Sequence, residues 1–321
     1  MAGGRGGVVA GGGVRCRYRA AGDASGPLGG LAARLTGRAR PTIRPSAAGR
    51  ARRPPARAVR PAAAGIRHRV PEGPPMPHPG PAASRVLNFW KAGLRSVPSE
   101  VWRRQDWEVL ILADNALTVI PPALGGLRAL HTLDLGHNLL TAVPDEIGEL
   151  AGLTRFLYLH DNRMTALPEA LGGLDRLGYL NVGENPLGRL PAALGTMAGL
   201  VELRAQRAEL THLPESVGRL GRLRELWLGG NALTALPTSL AALHELRVLE
   251  LRDNALPAVP EALRGLPLLR RIDLRGNRIE ALPPWMARLP SLEKLDLRWN
   301  AVEDTAEPVL ALREKGCVVL T

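Results

Sequence analysis

The sequence predicts an α/β repeat solenoid: a concave parallel β-sheet backed by short helical or 3-10 segments. Three observations carry this. Asparagine returns at Asn115, Asn138, Asn162, Asn185, Asn231, Asn254, Asn277 and Asn300. The spacing is 23 residues, broken by one inserted residue before Thr154 and by one unit in which Ala208 stands where asparagine is expected. Leucines flank each asparagine at fixed offsets, as Leu130, Leu133, Leu135 and Leu140 do around Asn138. Proline returns in the same register at Pro98, Pro121, Pro144, Pro168, Pro191, Pro214, Pro237, Pro260 and Pro283. A fixed period of this length marks stacked units, each of which buries its apolar side against its neighbours.

Along the chain, residues 1–83 come first and stand apart. They hold 15 Arg, no Lys and two acids, a balance of +13, whereas residues 84–321 hold 27 basic and 28 acidic residues. The net charge of +12 therefore belongs to the tail. Its Gly, Ala, Arg and Pro show no helical or strand period, a composition that predicts disorder. Three readings of the tail stand open. It binds nucleic acid or acidic partners by charge, although only Tyr18 among its residues offers a stacking ring. It is an Arg-rich transit peptide. Or it has no function, being GC-rich DNA translated upstream of a true start at Met76. A secretory signal fits poorly, because the run after Arg5 is mostly glycine.

Residues 84–106 keep the register imperfectly, with Leu87, Phe89, Leu94, Val97, Pro98 and Val101 in place and Ala92 at the asparagine position. They predict an N-terminal capping unit. Residues 107–302 carry the repeats. In each, L-x-L alternates and reads as a short strand with its leucines inward. The asparagine side chain suits hydrogen bonds to its own turn and to the neighbouring one. Proline sets φ where the chain leaves that turn, and L-x-x-L follows as a helical or 3-10 turn. Residues 303–321 abandon the second half of the pattern and predict a C-terminal cap. There Thr305 suits the N-cap of a helix over 306–314, Gly316 its end, and 317–320 a last strand. Cys16 and Cys317 form no disulfide or metal framework, and no apolar run is long enough to span a membrane.

These residues resemble the leucine-rich-repeat family. The L-P-x-x-L-x-x-L second half is similar to the 23-residue class of intracellular Ras-group scaffolds and bacterial repeat proteins. The resemblance covers residues 84–321 and implies a leucine-rich-repeat horseshoe. It also implies a cytoplasmic recognition module or scaffold, in signalling as a regulator of a GTPase, kinase or phosphatase. The cysteine-rich caps of extracellular members are missing, which favours the cytoplasm.

Binding is expected on the outward positions of the sheet: the third, fifth, seventh and eighth residues of each unit. Six of the ten aromatics beyond residue 83 fall there, Trp90, Phe156, Tyr158, Tyr179, Trp227 and Trp299. Aromatics favour strands in general, but the inward positions here are leucine, so these rings serve no core. Phe156, Tyr158, His160, Tyr179, Arg204, Gln206 and Trp227, with Glu202 and Arg207 among them, form a central group of the hot-spot type. Further along, Arg252, Arg275 and Arg298 stack beside Glu250, Asp273 and Asp296. These are either a reader of carboxylates or phosphates, or exposed ladders that neutralise each other, and the commonness of weak exposed pairs favours the second. Asp114, His137 and Asp161 form a row with His160 adjacent. A metal is not expected there, because straight rows do not converge on one ion. No nucleophile with its base and no phosphate loop appears. The chain is thus expected to be a monomer without cofactor, metal or catalytic residues that binds a protein partner. Nucleic-acid association through the tail is the alternative.

Overall fold

A computed structural model describes residues 85–321. The tail of residues 1–83, the start at Met76, Cys16 and Tyr18 lie outside the described residues. The L-x-L segments fold as strands of three residues: β1 (Val86–Asn88), β2 (Val109–Ile111), β3 (Thr132–Asp134), β4 (Phe156–Tyr158), β5 (Tyr179–Asn181) and β6 (Glu202–Arg204). β7 (Glu225–Trp227), β8 (Val248–Glu250), β9 (Arg271–Asp273), β10 (Lys294–Asp296) and β11 (Val318–Leu320) complete them. All pair in parallel, each with its neighbours in sequence, in one open sheet ordered β1 to β11. The middle residue of a strand registers on the middle residue of the next, as Leu133 does on Leu157 and Leu157 on Leu180. These middle residues face inward. Leu110, Leu133, Leu157, Leu180, Leu203, Leu226, Leu249, Ile272 and Leu295 are each at most 1% exposed. Each such burial contributes roughly 1.5–3 kcal/mol before chain entropy is counted.

The back of the solenoid is made of 3-10 turns. Each follows a recurring proline, whose φ lies between −58° at Pro98 and −74° at Pro121. The ring presets that angle and lacks an N–H that the start of a helix would leave unbonded. The proline carbonyl opens the turn, as when Ile147 N donates to Pro144 O at 3.0 Å. Leucines of these turns, such as Leu171 and Leu240, close the core from behind at 0% exposure.

The asparagines join one unit to the next. Asn138 Nδ2 donates to Leu135 O (3.1 Å) and Gly136 O (3.1 Å) of its own turn and to Leu112 O (3.0 Å) of the previous one. Its Oδ1 accepts from Leu117 N at 3.1 Å. Asn115, Asn162, Asn185, Asn254 and Asn277 repeat this set. At the gap left by Ala208, Asn231 Oδ1 accepts from both Ala208 N (2.9 Å) and Leu210 N (3.0 Å).

The chain closes with α1 (Glu307–Glu314) and β11, which pairs with β10. The expected cap at Thr305 is corrected by the structure. The helix starts after Ala306, without a side-chain cap. Pro308 has no N–H to satisfy, and Val309 N and Leu310 N both reach Ala306 O, so a capping hydroxyl has little left to do. Cys317 is buried with a free thiol, and burial pushes that thiol above its usual pKa.

Candidate binding face

On each strand the residues before and after the buried leucine point out of the sheet, so register stacks them into two rows. The third-position row brings Phe156 next to Tyr179, and the fifth-position row runs Tyr158, Asn181, Arg204, Trp227. The rings meet across these rows. Phe156 and Tyr158 stack at 6.0 Å between centroids, Tyr158 and Tyr179 lie 5.0 Å apart, and Phe156 meets Tyr179 edge-on at 5.6 Å. The patch extends to His160, 6.0 Å from Tyr158, and on to His137, 4.7 Å from His160. In the other direction the Arg204 guanidinium lies 5.8 Å from the Tyr179 ring and 5.0 Å from the Trp227 ring. Such cation–π contacts hold rings and guanidinium as one surface.

Neighbouring carboxylates position this surface. Glu202 Oε1 accepts from Arg204 Nε at 2.6 Å, and Glu225 Oε2 accepts from Trp227 Nε1 at 3.1 Å. Phe156 is 41% exposed, whereas Tyr158, Tyr179 and Trp227 are half-buried by one another and by the arginine. Burial pushes the Tyr179 phenol up to about 12 and raises Tyr158 as well, so both are neutral hydrogen-bonding groups at physiological pH. His160 lies over the backbone of Gly136, where an added Cβ would come within 2.5 Å of the ring. Burial first, and then His137, hold it below the ordinary imidazole pKa, and its buried Nδ1 has no hydrogen-bond partner among the described residues. Gln206 borders a pocket of about 200 Å³ with His160, Asn181, Glu184, Arg204, Arg207 and Arg252.

The other outward aromatics stand apart from this group. Trp90 donates from Nε1 to Asp114 at 2.5 Å, and Trp299 is 72% exposed at the far end. The row of Asp114, His137 and Asp161 does not converge. Asp114 serves Trp90, and His137 Nδ1 lies 2.5 Å from Asp161 Oδ2. Among the described residues no group of three or more metal-ligating side chains gathers, and no helix is long and apolar enough to cross a membrane.

Toward β10 the outward charges pair within their own units. Arg252 meets Glu250 at 3.0 Å, Arg275 meets Asp273 at 2.6 Å, and Arg298 meets Asp296 at 2.8 Å. Arg275 also reaches Asp296 on the next strand at 3.5 Å. The expectation of exposed ladders needs correction at two carboxylates, because Glu250 and Asp296 are each 4% exposed. The Glu250 carboxylate lies over the neighbouring turn and accepts from Gly229 N (2.9 Å) and Arg252 N (3.3 Å). Burial raises its pKa, with Arg252 opposing. At Asp296 burial acts in the same direction, but Arg298 and its backbone N–H prevail and the carboxyl sits below its usual value.

Two features escaped the sequence reading. The eighth residue of the units is left-handed: Lys91, Asp114, His137, Asp161, Glu184, Arg207, Asp253 and Trp299 have φ between +50° and +61°. Arg271 and Lys294, at the third position of adjacent units, are also absent from the expected site. Reading the third-position column alone, unit by unit, would have shown two neighbouring cations.

Comparison with known proteins agrees with this architecture. A family model described as leucine rich repeat matches residues 107–164 and 258–302. None of the curated proteins compared matches the chain. Among solved structures, the ectodomain of the Arabidopsis thaliana receptor kinase GASSHO1/SCHENGEN3, in complex with CASPARIAN STRIP INTEGRITY FACTOR 2, is 30% identical with a TM-score of 0.59. That match covers 68% of this chain and 27% of the receptor chain. The Arabidopsis receptor kinase HAESA ectodomain, bound to an IDA peptide hormone, is 27% identical with a TM-score of 0.57, covering 67% and 38% respectively. The Drosophila Toll–Spatzle complex shares the fold, with 23% identity, a TM-score of 0.61, and 67% and 30% coverage. The chain thus spans between about a quarter and two fifths of the length of these structures. The stacked parallel strands, the asparagine ladder and these matches together give the chain the leucine-rich-repeat fold.

Proposed function

We propose that this chain is a recognition module that binds a protein or peptide partner on the open face of its sheet, through Tyr158, Tyr179, Arg204 and Trp227. One observation carries the reading: a continuous array of rings and guanidinium on an outward face, above a leucine core that does not use it. Aromatic and arginine side chains gathered at the centre of a surface, already ordered by one another, lose little entropy on binding. The peptide hormone bound to the Arabidopsis HAESA ectodomain offers support by analogy. The free Cys317 thiol suits the cytoplasm, where we assign the protein as a scaffold or regulator in signalling.

The test is site-specific photocrosslinking in cells. A photoreactive residue at position 179 should capture a partner, and one at position 119, exposed outside the sheet, should not. Replacing Tyr158 and Trp227 with alanine should weaken that partner's binding by about 2 kcal/mol or more, the usual scale of a hot spot, at unchanged melting temperature. Crosslinks from 119 alone, or undiminished affinity of the double variant, would reject the assignment.

A further inference from the structure

The third-position row ends in two cations that the fold does not use. Arg271 opens β9, Lys294 opens β10, and the two are register partners. Both are exposed. Among the described residues neither side chain has an ion-pair or hydrogen-bond partner. Adjacent strands lie about 4.8 Å apart, and like charges directly opposite in a sheet destabilise it.

The surrounding cations are treated differently. Arg252, Arg275 and Arg298 each have a carboxylate within 3.0 Å, and Arg270 has Glu293 at 3.2 Å. The row itself offers Arg271 and Lys294 no acid nearby, since Val248 and Val318 are the flanking register partners. Glu202 and Glu225, further along the row, are already engaged by Arg204 and Trp227. An acid in place of either cation would stabilise the sheet, as acids do two residues on in the same strands. A repulsive pair kept where the fold gains nothing points to an anion supplied from outside. The pair lines a pocket of about 300 Å³ together with Trp227, Val248 and the carboxylates of Glu225, Glu250, Asp273 and Asp296, which are held by Trp227, Arg252, Arg275 and Arg298.

We propose that Arg271 and Lys294 receive the carboxylates of an acidic segment of the partner peptide, whose apolar part sits on Tyr158, Tyr179 and Trp227. This rests on the binding face proposed above and adds the chemistry of its ligand. The spacing follows from strand geometry. Arg271 lies four strands from Tyr179, about 19 Å, which an extended peptide covers in about six residues, and two strands from Trp227, about 10 Å or three residues. The ligand is therefore a segment with an aromatic or large aliphatic anchor and Asp or Glu three to six residues away.

The experiment is selection of random twelve-residue peptides, displayed on phage, against three purified proteins: the full chain, Arg271→Glu/Lys294→Glu, and Tyr158→Ala/Trp227→Ala. The full chain should enrich peptides with the anchor and the acid at that spacing. The charge-reversed variant should keep the anchor and lose the acid or exchange it for Lys or Arg. A soluble peptide from the first selection should bind the charge-reversed variant at least tenfold more weakly. Its Gln-substituted version should show the same loss on the full chain. The melting temperature of Lys294→Glu without peptide should be equal or higher, because a repulsion has been removed.

Anchors without acids, or the same acidic peptides selected by the charge-reversed variant, would overturn this proposal and leave the aromatic face standing. Acids without anchors, or selection undisturbed in Tyr158→Ala/Trp227→Ala, would overturn the aromatic face instead, and selection of nothing would overturn both. Binding of a phosphoserine version with no binding of the Glu version would also overturn it, since it would make the ligand a phosphopeptide. So would a fall in the Lys294→Glu melting temperature, which would give the lysine a structural role.

Discussion

The least expected residues are those at the eighth position of each unit. A side chain there sits in the left-handed region, at a cost of roughly 1–2 kcal/mol for residues other than glycine. The cause lies in the stack. Asp114 N donates to Gly136 O, His137 N to His160 O, and Asp253 N to Arg275 O at 2.7 Å, each reaching the seventh-position carbonyl of the next unit. The turn twists so that this N–H can point along the solenoid. Gly230 and Gly276 adopt the same conformation without strain. Asp253 is exposed and has no side-chain partner among the described residues, so Asp253→Gly isolates the backbone effect. We expect a gain of about 0.5 kcal/mol, the strain released less the roughly 0.5–1 kcal/mol of extra chain entropy that glycine loses on folding. Urea titration measures it, and a lower midpoint would mean that the turn is not strained. The sequence offered only a hint of this, in the Asp and Gly of that column, because φ there is set by a hydrogen bond to another unit.

At the scale of the element, the asparagine ladder decides how well one unit joins the next. Asn162 satisfies Leu135 O, Leu159 O, His160 O and Leu140 N with one side chain, itself 7% exposed. Asn162→Ala leaves the buried Leu140 N–H unpaired, while Leu135 O, Leu159 O and His160 O each lose one donor but keep Asn138, Asn185 and His137 N, and the expected cost is about 1–3 kcal/mol. Ala208 shows the limit of that reasoning, since the natural chain tolerates one missing rung where Asn231 accepts two backbone N–H groups at once. A loss below about 0.5 kcal/mol on the scale of a single weak bond, measured by the same titration, would show that other rungs can be bridged in that way. The ladder was legible from spacing alone, because a polar residue that recurs between buried leucines must find backbone partners. The start of α1 was not: Thr305 is a good cap by type, but Pro308 and the two bonds to Ala306 O remove the need.

For the whole molecule, stability is a sum over neighbours, and the ends are its weak points. Beyond β10, α1 and β11 cover the last turn, with Val309 at 0%, Leu312 at 1% and Cys317 at 5% exposure. Deleting residues 303–321 would uncover the β10 edge and the leucines behind it, Leu295 and Leu297. We expect the shortened protein to associate into larger species at micromolar concentration, read by light scattering after size exclusion. A monodisperse monomer with an unchanged melting temperature would show that the last repeat needs no cover.

The repeat, the leucine core, the asparagine rungs and the outward columns are all legible in the order of the amino acids, because each unit meets near-copies of itself and a period therefore encodes its own contacts. That order also singled out Phe156, Tyr158, Tyr179 and Trp227, since rings at outward positions have no core to fill. Which outward groups meet emerges from the folded stack. Arg204 lies between Tyr179 and Trp227, Glu250 lies over Gly229 and accepts from its N–H, and Arg271 and Lys294 are left unanswered side by side. Those outcomes depend on how side chains from three or four units share one surface, and on which carboxylate reaches which guanidinium first. Such choices are made between units, where no spacing within a single unit records them.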